Sequence, residues 1–397
     1  MRGRKMGMRI LGLAQVPLGR HDGASAHVIG LYSELARLGA EVRCILPGTL
    51  PASTPLPFQA IYVPTGRDIR RWTFIWHLLS PWWFLGAVLR YRPQVVYLRG
   101  HLLLPHLVLA RLLGRPAAVE INEDKSGELE WQGEWRRRLA RLNRIIERWS
   151  YRLAWRLLPV TPQLRDLLVH EHGVEPARCR VVSNGFDPAV FFPRPKEEAK
   201  RYLGLDARRR YIAFVSQLTP RHSLDLLVQG FAVLAGQVPD VDLLVVGEGM
   251  ARPQMMRWCE ELGIGERVIF AGEVPAERAA WYIAAAECGV AQLRADRNAR
   301  RVGASPLKLW AYLGCARPVL VGQVPNLAEI IREWDCGLVI EEETPAAFAA
   351  AARYLLEHPE KAEEMGQRGY AGALAGYTWH AVAQKTLAIL EEALHAA

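Results

Sequence analysis

The chain has 397 residues, a formal net charge of +9, and hydrophobic side chains at half of its positions. This length predicts two or three domains, and 35 Trp, Tyr and Phe residues supply enough apolar bulk for packed cores, which excludes an intrinsically disordered protein. There is no collagen-like or heptad repeat, which excludes a fibre.

Short apolar runs alternate with helical patterns along the first half of the chain. A helix is predicted over 23–39, ending at Gly39, because glycine commonly follows the last helical residue. The predicted strands around it lie at 8–15, 41–46, 94–98, 117–121 and 157–160.

The same alternation restarts in the second half, with strands predicted at 211–215, 242–247, 267–271, 288–293, 318–321 and 337–340. Runs such as YIAFV do not alternate between apolar and polar residues, which is typical of parallel strands covered on both faces. Two such series predict an α/β fold with two doubly wound parallel-sheet domains. We expect domains at 1–190 and 191–375, and a last helix at 376–397 that packs back on the first domain.

The positive charge is concentrated in the first half. Residues 1–195 carry a net charge of +13, whereas residues 196–397 carry −4. An anionic partner would therefore meet the first half, and nucleic acid and an anionic membrane are the two candidates. No RNA- or DNA-binding motif is present, which favours the membrane and predicts no nucleic-acid partner.

Two stretches bear on membrane contact. Residues 72–89 lack a formal charge but include Pro81, so this stretch is a short membrane span, an interfacial helix or an ordinary core helix. Residues 131–158 place Trp, Leu and Ile at helical spacing and five arginines on another face. This pattern fits either a solvated helix or a basic amphipathic helix on anionic lipid.

The six cysteines form no C-x-x-C pair, so we expect buried core residues rather than a zinc site or a disulfide framework. The basic N-terminus precedes only a short apolar strand and not the apolar core of a signal peptide. A cytoplasmic protein is therefore expected.

Five segments, in order, resemble glycosyltransferase family 4. They are DGASAHV at 22–28, VVSNGFD at 181–187, VVGEG at 245–249, FAGEVPAERAAWYIAAAECGVAQL at 270–293 and SPLKLWAYLGCARPVL at 305–320. Each segment alone is a weak signal, but five at the family's spacing cover nearly the whole chain and make a strong one.

The resemblance implies the GT-B fold, in which two Rossmann-like domains face each other. It implies sugar transfer with retention of anomeric configuration from a nucleotide sugar such as a UDP- or GDP-sugar, without a metal ion. The basic, Trp-rich first half then fits a glycan or lipid-linked envelope acceptor, and a protein at the inner face of the membrane.

The resemblance also assigns residues. Asn122 and Glu120 would lie on the acceptor side, with Glu120 hydrogen-bonded to acceptor hydroxyls. The donor would contact Gly23, Gln217, Arg221, His222, Gly247, Gly249, Val274, Ser305, Lys308 and Ala311. We predict that Ser305 and Pro306 start a helix as its N-cap and first residue, and that its amide end and Lys308 attract the donor phosphates.

Several positions depart from the family pattern. Gln217 and His222 stand where the family has a phosphate-binding Arg and Lys, and Gly303 and Ala311 replace its two glutamates. Arg221 and a loop carrying Arg294, Arg297, Arg300 and Arg301 are substitute cations, unless that loop is simply solvated. Two functions therefore remain open: an active transferase with a rebuilt donor site, or a non-catalytic relative that acts as a scaffold for another transferase.

Overall fold

The computed structural model describes residues 7–18, 22–48, 56–65, 69–126, 134–219, 222–291, 293–295 and 297–395, without the side chains of 69–72, 134–137 and 139. The chain divides into two compact units. The first comprises the residues up to Ser183 together with those from Trp379 onward, and the second comprises Asn184–Thr378.

The first unit is built on a six-stranded parallel sheet in the order β3-β2-β1-β4-β5-β6. Its strands are β1 (Arg9–Ala14), β2 (Glu41–Pro47), β3 (Gln59–Val63), β4 (Val95–Arg99), β5 (Ala117–Ile121) and β6 (Arg156–Pro159). Its helices are α1 (Gly23–Arg37), α2 (Ile69–Tyr91), α3 (Leu104–Leu112), α4 (Glu134–Leu153), α5 (Pro162–His170) and α15 (Trp379–His395).

The sequence of β1 and α1 explains their structure. All five residues after Arg9 in β1 are apolar and buried, because neighbouring strands flank β1 on both sides and helices cover the sheet. The chain then turns at Asp22, whose carboxylate accepts a hydrogen bond from the Ser25 backbone N–H at 2.8 Å. This N-cap starts α1 at the carboxyl end of β1.

The last helix, α15, belongs to the first unit and packs along α1. The Trp379 ring lies edge-on to the His27 imidazole, and the Arg156 guanidinium pairs with the Glu392 carboxylate at 2.9 Å.

The second unit repeats the architecture with the strand order β12-β11-β10-β7-β8-β9, again all parallel. Its strands are β7 (Arg210–Val215), β8 (Val241–Val246), β9 (Val268–Gly272), β10 (Cys288–Val290), β11 (Val319–Gly322) and β12 (Gly337–Ile340). Its helices are α6 (Lys196–Leu203), α7 (Leu224–Gln237), α8 (Arg252–Glu261), α9 (Ala276–Ala285), α10 (Arg297–Val302), α11 (Leu307–Gly314), α12 (Leu327–Trp334), α13 (Pro345–Glu357) and α14 (Pro359–Gly376).

The segments that lead into and out of the second unit run side by side within it. The Phe186 backbone N–H donates to the Tyr377 carbonyl at 2.9 Å, and Phe186 forms a parallel β-bridge with Thr378. The second unit is therefore continuous in sequence, whereas the first is assembled from two stretches of chain.

The predicted fold class is confirmed, and every predicted strand is present; β5 and β12 have the predicted ends, and the ends of the others are shifted. The edge strand β3 was missed, because a five-residue strand after a proline-rich run, with only Val63 fully buried, carries little strand signal. The six cysteines are buried and unpaired, as expected. The uncharged stretch 72–89 lies inside α2, and among the described helices none combines the length and apolar character needed to cross a bilayer.

Candidate functional site

Two glycines at the carboxyl end of β8 bring two loops into direct contact. Gly247 and Gly249 have φ values of +133° and +159°, which L side chains rarely adopt. A Cβ on Gly247 would overlap the Ser216 carbonyl, and one on Gly249 would overlap the Leu218 carbonyl. The loop after β8 thus packs on the loop after β7, at the sheet edge where ligands bind in doubly wound folds.

The loop after β7 holds Gln217 and His222. The Nδ1 atom of His222 lies 2.7 Å from the Gln217 carbonyl oxygen, and it is the donor because a carbonyl can only accept. The Gln217 residue is exposed. Arg221 lies outside the described residues, so its role as a donor-binding cation stays a prediction from the sequence.

The predicted cap of α11 is wrong by one residue. Pro306 occupies the N-cap position and Leu307 is the first helical residue, without a side-chain cap. Ser305 instead serves through its carbonyl, which accepts from the Asn184 amide at 2.6 Å, while the Asn326 amide donates to the Ala304 carbonyl at 2.7 Å. Two side-chain amides therefore fix the chain that leads into α11, and extended backbone at Pro306 delays the first turn.

Lys308 lies in the first turn of α11 and turns its ammonium inward. The Nζ atom is shielded from solvent, has no hydrogen-bond partner within the described ranges, and lies 4.7 Å from the centre of the Phe214 ring on β7. Burial lowers the pKa of this amine to about 7. Ala311, one turn later on the same helix, is buried and leaves no carboxylate beside it.

The predicted arginine loop is partly neutralised. Arg294 pairs with Asp225 at 2.5 Å and lies 3.8 Å from Glu343, which also pairs with Arg300 at 3.3 Å. Acidic partners thus engage Arg294 and Arg300. Val274 follows β9 and packs partly buried against the sheet.

In the first unit, Gly23 is the exposed first residue of α1, at the carboxyl end of β1. Nearby, Glu120, the last residue but one of β5, is a buried carboxylate with four partners. Its Oε2 lies 3.0 Å from His27 Nε2 and accepts from the Tyr97 hydroxyl at 2.9 Å, while Oε1 accepts from Arg99 and from Asn122 Nδ2.

These contacts determine the charge state and the hydrogen bonding of Glu120. Burial alone would raise the pKa of the Glu120 carboxyl, but the charges of Arg99 and His27 hold that pKa well below its usual range. Four protein donors use the lone pairs that an acceptor hydroxyl would need. Glu120 therefore positions Arg99 and Asn122 at this edge of the sheet; Asn122 Oδ1 also accepts from Arg99 at 3.0 Å.

A cavity of about 240 Å³ opens at the carboxyl ends of β1, β4 and β5. Arg99 and Asn122 line one side of it, and one face of α4 lines another through Asn143, Glu147 and Tyr151. The Asn143 amide donates to Glu147 Oε1 at 3.0 Å, and the Ser126 hydroxyl donates to Oε2. Neither Asn143 nor Glu147 was predicted from the sequence as a site residue. Their spacing of four positions, which puts two polar side chains on one face of α4, was the signal that could have indicated them.

Helices α2, α3 and α4 carry an exposed surface of mixed character, and α3 packs against both of the others. Apolar side chains of α2 and α4 are in part open to solvent: Trp82 is 68% exposed, and Ile145 and Trp149 are more than half exposed. We call this the amphipathic surface; it comprises Phe74, Leu78, Trp82, Leu112, Leu142, Ile145, Trp149, Arg138, Arg141, Arg148 and Arg152. The side chains of Trp131, Trp135, Arg137 and Leu139 lie outside the described part.

Two family models match the chain and together span most of it. Residues 21–190 match the model described as Glycosyltransferase Family 4, and residues 195–372 match Glycosyl transferases group 1. The chain is 29% identical over 232 residues to the D-inositol 3-phosphate glycosyltransferase of Segniliparus rotundus, covering 57% of this chain and 50% of the relative.

A second relative, at 29% identity over 198 residues, is the GDP-mannose-dependent alpha-(1-6)-phosphatidylinositol monomannoside mannosyltransferase of Mycolicibacterium smegmatis; the match covers 49% of this chain and 51% of the relative. The chain thus spans about half the length of the curated relatives it matches.

Solved structures show the same fold at low sequence identity. Sucrose-phosphate synthase from Thermosynechococcus elongatus superposes with a TM-score of 0.81 at 19% identity, over 98% of this chain and 100% of that chain. The HepE protein of Anabaena in complex with UDP-glucose superposes with a TM-score of 0.74 at 15% identity, over 98% and 100%. At these identities the likeness establishes the fold alone.

Proposed function

We propose, because this chain belongs to glycosyltransferase family 4, that it transfers a sugar from a nucleotide-sugar donor to a hydroxylated acceptor with retention of configuration. The donor nucleotide would bind at the carboxyl edge of the second unit's sheet. The acceptor would bind at the corresponding edge of the first unit's sheet.

The observation that carries this proposal is Lys308. A shielded ammonium without a hydrogen-bond partner is unfavourable unless a ligand supplies the missing anion. Lys308 sits in the first turn of α11, where the backbone N–H groups and the helix dipole also favour negative charge. A departing nucleoside diphosphate develops negative charge, and such groups stabilise it.

The relatives support the class of acceptor. One is named for an inositol phosphate and another for a phosphatidylinositol mannoside, and both names describe transfer to a cyclic polyol or to a sugar attached to one. We propose a lipid-linked or envelope glycan acceptor, a UDP- or GDP-sugar donor, and a reaction without a metal ion, as the family resemblance implies.

The amphipathic surface supports a location at the inner face of the membrane. Exposed Trp and Ile side chains beside arginines are the composition that binds anionic lipid, through apolar insertion and charge attraction. This surface lies on the unit assigned to the acceptor, so a protein held there would meet lipid-linked substrates.

A scaffold function remains the alternative, and specific residues favour it. Gln217, Gly303 and Ala311 are uncharged where the family has charged donor-binding residues, and Arg294 and Arg300 are paired within the protein. A chain that had lost its donor would keep the fold and bind a partner instead.

Titration of the full chain with UDP, GDP and ADP by calorimetry distinguishes the two functions. We expect micromolar binding of one nucleotide, weakened at least tenfold in Lys308→Met. Lys361→Met is the matched control, since Lys361 also lies over an aromatic ring, that of Tyr354, but is exposed. If no nucleotide binds the wild-type chain, the scaffold function replaces the transferase.

A further inference from the structure

We propose that the 240 Å³ cavity of the first unit binds the uncharged polyol part of the acceptor, and that Asn143 and Glu147 of α4 select it over a phosphorylated one. This inference rests on the proposed function and deepens it, because it names the chemistry of the acceptor group that enters the protein.

The cavity offers both hydrogen-bond donors and acceptors, on different walls. On the strand side, Arg99 Nη1 donates to Glu120 and to Asn122. The Nε and Nη2 atoms of Arg99 make no hydrogen bond within the described part of the chain. On the helix side, Asn143 uses only its amide nitrogen, so its Oδ1 still accepts. A sugar or cyclitol hydroxyl both donates and accepts, and vicinal hydroxyls match such a pair of walls.

Glu147 adds an acceptor without a counter-charge. Its partners are the neutral Ser126 hydroxyl and Asn143 amide, and within the described ranges no cation pairs with it. Burial raises the pKa of this carboxyl to about 7, and nearby Asp124 acts in the same direction. In either protonation state the group hydrogen-bonds a hydroxyl.

The charge balance of the cavity disfavours phosphate. Its described lining contains the carboxylates of Glu120, Glu123 and Glu147 but only one permanent cation, Arg99, which Glu120 already neutralises. Glu123 pairs with His101 at 3.0 Å and with Lys125 at 3.8 Å. A phosphate with up to two negative charges would therefore meet the Glu147 carboxyl, which has no cationic partner in the described ranges, and an arginine that already has a carboxylate partner.

Helix α4 also relates this cavity to the outside. While Asn143 and Glu147 face the cavity, Leu142, Ile145 and Trp149 lie on the opposite side of the helix and are exposed on the amphipathic surface. An amphiphilic acceptor could therefore place its polyol in the cavity and its anionic or apolar portion along the arginines and tryptophans outside.

The test measures binding of soluble probes to the full chain by saturation-transfer NMR titration. The neutral probes are myo-inositol, methyl α-mannoside and methyl α-glucoside, and the charged probes are myo-inositol 1-phosphate, mannose 6-phosphate and glucose 6-phosphate. We expect at least one neutral probe to bind at least tenfold more tightly than its phosphate.

Variants of α4 locate the binding. Asn143→Leu and Glu147→Leu should weaken binding of the neutral probe at least tenfold, and Glu147→Gln should stay within threefold of wild type. Arg180→Gln, at an exposed residue of the first unit outside both the cavity and the amphipathic surface, should leave binding unchanged. Thermal melting of each variant shows that it is folded.

Three results would overturn the inference: no neutral probe binds, the phosphates bind more tightly, or the leucine variants of folded protein bind like wild type. Nucleotide titration of the same samples separates this failure from a failure of the proposed function. If UDP or GDP binds while the polyol prediction fails, the transferase proposal stands and only the acceptor assignment falls.

Discussion

The Trp379 ring lies edge-on to the imidazole of His27, with 5.0 Å between the ring centres and an interplanar angle of 85°. His27 in turn lies 3.0 Å from Glu120, which orders Arg99 and Asn122 at the cavity. Trp379, the first residue of α15, thus packs against the His27–Glu120 pair that positions Arg99 and Asn122 at the cavity. Trp379 itself is not among the described residues that line the cavity.

A substitution at Gly30 of α1 tests whether the packing of Trp379 against α1 stabilises the first unit. A Cβ at Gly30 would lie 2.5 Å from the Trp379 indole, so Gly30→Ala must displace that ring. We expect a loss of about 1–3 kcal/mol in the free energy of unfolding, as for other overpacked interiors. Gly86→Ala in α2 is the control; nothing lies within 4 Å of its Cβ, so it should be neutral or stabilising. Urea unfolding of the two variants makes the comparison, and equal stabilities would contradict it.

Glu120→Gln should destabilise the first unit in a pH-dependent manner. Removing the carboxylate deprives the Arg99 guanidinium of its charged partner. Because the Arg99 side chain is 15% exposed, we expect a cost near the lower end of the about 3–5 kcal/mol found when fully buried pairs are broken. Because folding depresses the pKa of Glu120, its contribution is present above its unfolded pKa of about 4.3 and is lost as pH falls below that value. The difference between wild type and variant should therefore be largest near pH 7 and shrink toward pH 2.

The matched control for that experiment is Glu41→Gln. Glu41 forms a surface pair with Arg43 at 3.5 Å, and its removal should change the stability by less than about 0.5 kcal/mol. A Glu120 variant as stable as this control would show that the buried network contributes little.

Lys308→Met should raise stability while it weakens nucleotide binding. Folding lowers the pKa of Lys308 to about 7, whereas the unfolded value is about 10.4, so the unfolded chain binds more protons between these values. Wild-type stability therefore rises with pH across this window. The advantage of methionine, about 1–3 kcal/mol, should be greatest below pH 7 and vanish toward pH 10.5.

Thermal melting at pH 6 and pH 9 measures this effect. An advantage that is the same at both values would place the Lys308 ammonium in water rather than against Phe214.

The amphipathic surface predicts binding to anionic vesicles. Sedimentation with vesicles of phosphatidylglycerol and phosphatidylcholine should retain the wild-type chain, and the triple substitution of Arg141, Arg148 and Arg152 by glutamate should abolish retention. The matched triple substitution by glutamate of Arg37, Arg165 and Arg180, which are exposed or partly exposed elsewhere on the first unit, should weaken binding to the vesicles much less. Raising the salt should reduce retention as the Debye length shortens. If the same fraction of protein sediments with vesicles of phosphatidylcholine alone, the amphipathic surface does not bind anionic lipid through its charge.

The parallel strands were predictable because their pattern is local. A run such as YIAFV is apolar throughout, and β7, which contains it, is buried along nearly its whole length. The edge strand β3 lacked this signal, since its middle residues are only partly covered.

The candidate site was less predictable, because it depends on contacts between distant residues. The role of Glu120 depends on His27, 93 positions earlier in the chain, and the carbonyl of Ser305 is held by Asn184, 121 positions away. Neither contact leaves a trace in the local sequence. The acidic partners of the arginines near α10 could not be predicted for the same reason. Asp225 and Glu343, which pair with Arg294 and Arg300, lie far from them in sequence.

The adjacent pairing of Phe186 with Tyr377 and Thr378 has a consequence for protein engineering. Because the second unit is entered and left at neighbouring points, it has the connectivity of an inserted domain. We expect that residues 184–378 can be expressed alone as a separate domain. A short flexible linker from Ser183 to Trp379 would then join the two stretches of the first unit into one continuous chain with a single sheet.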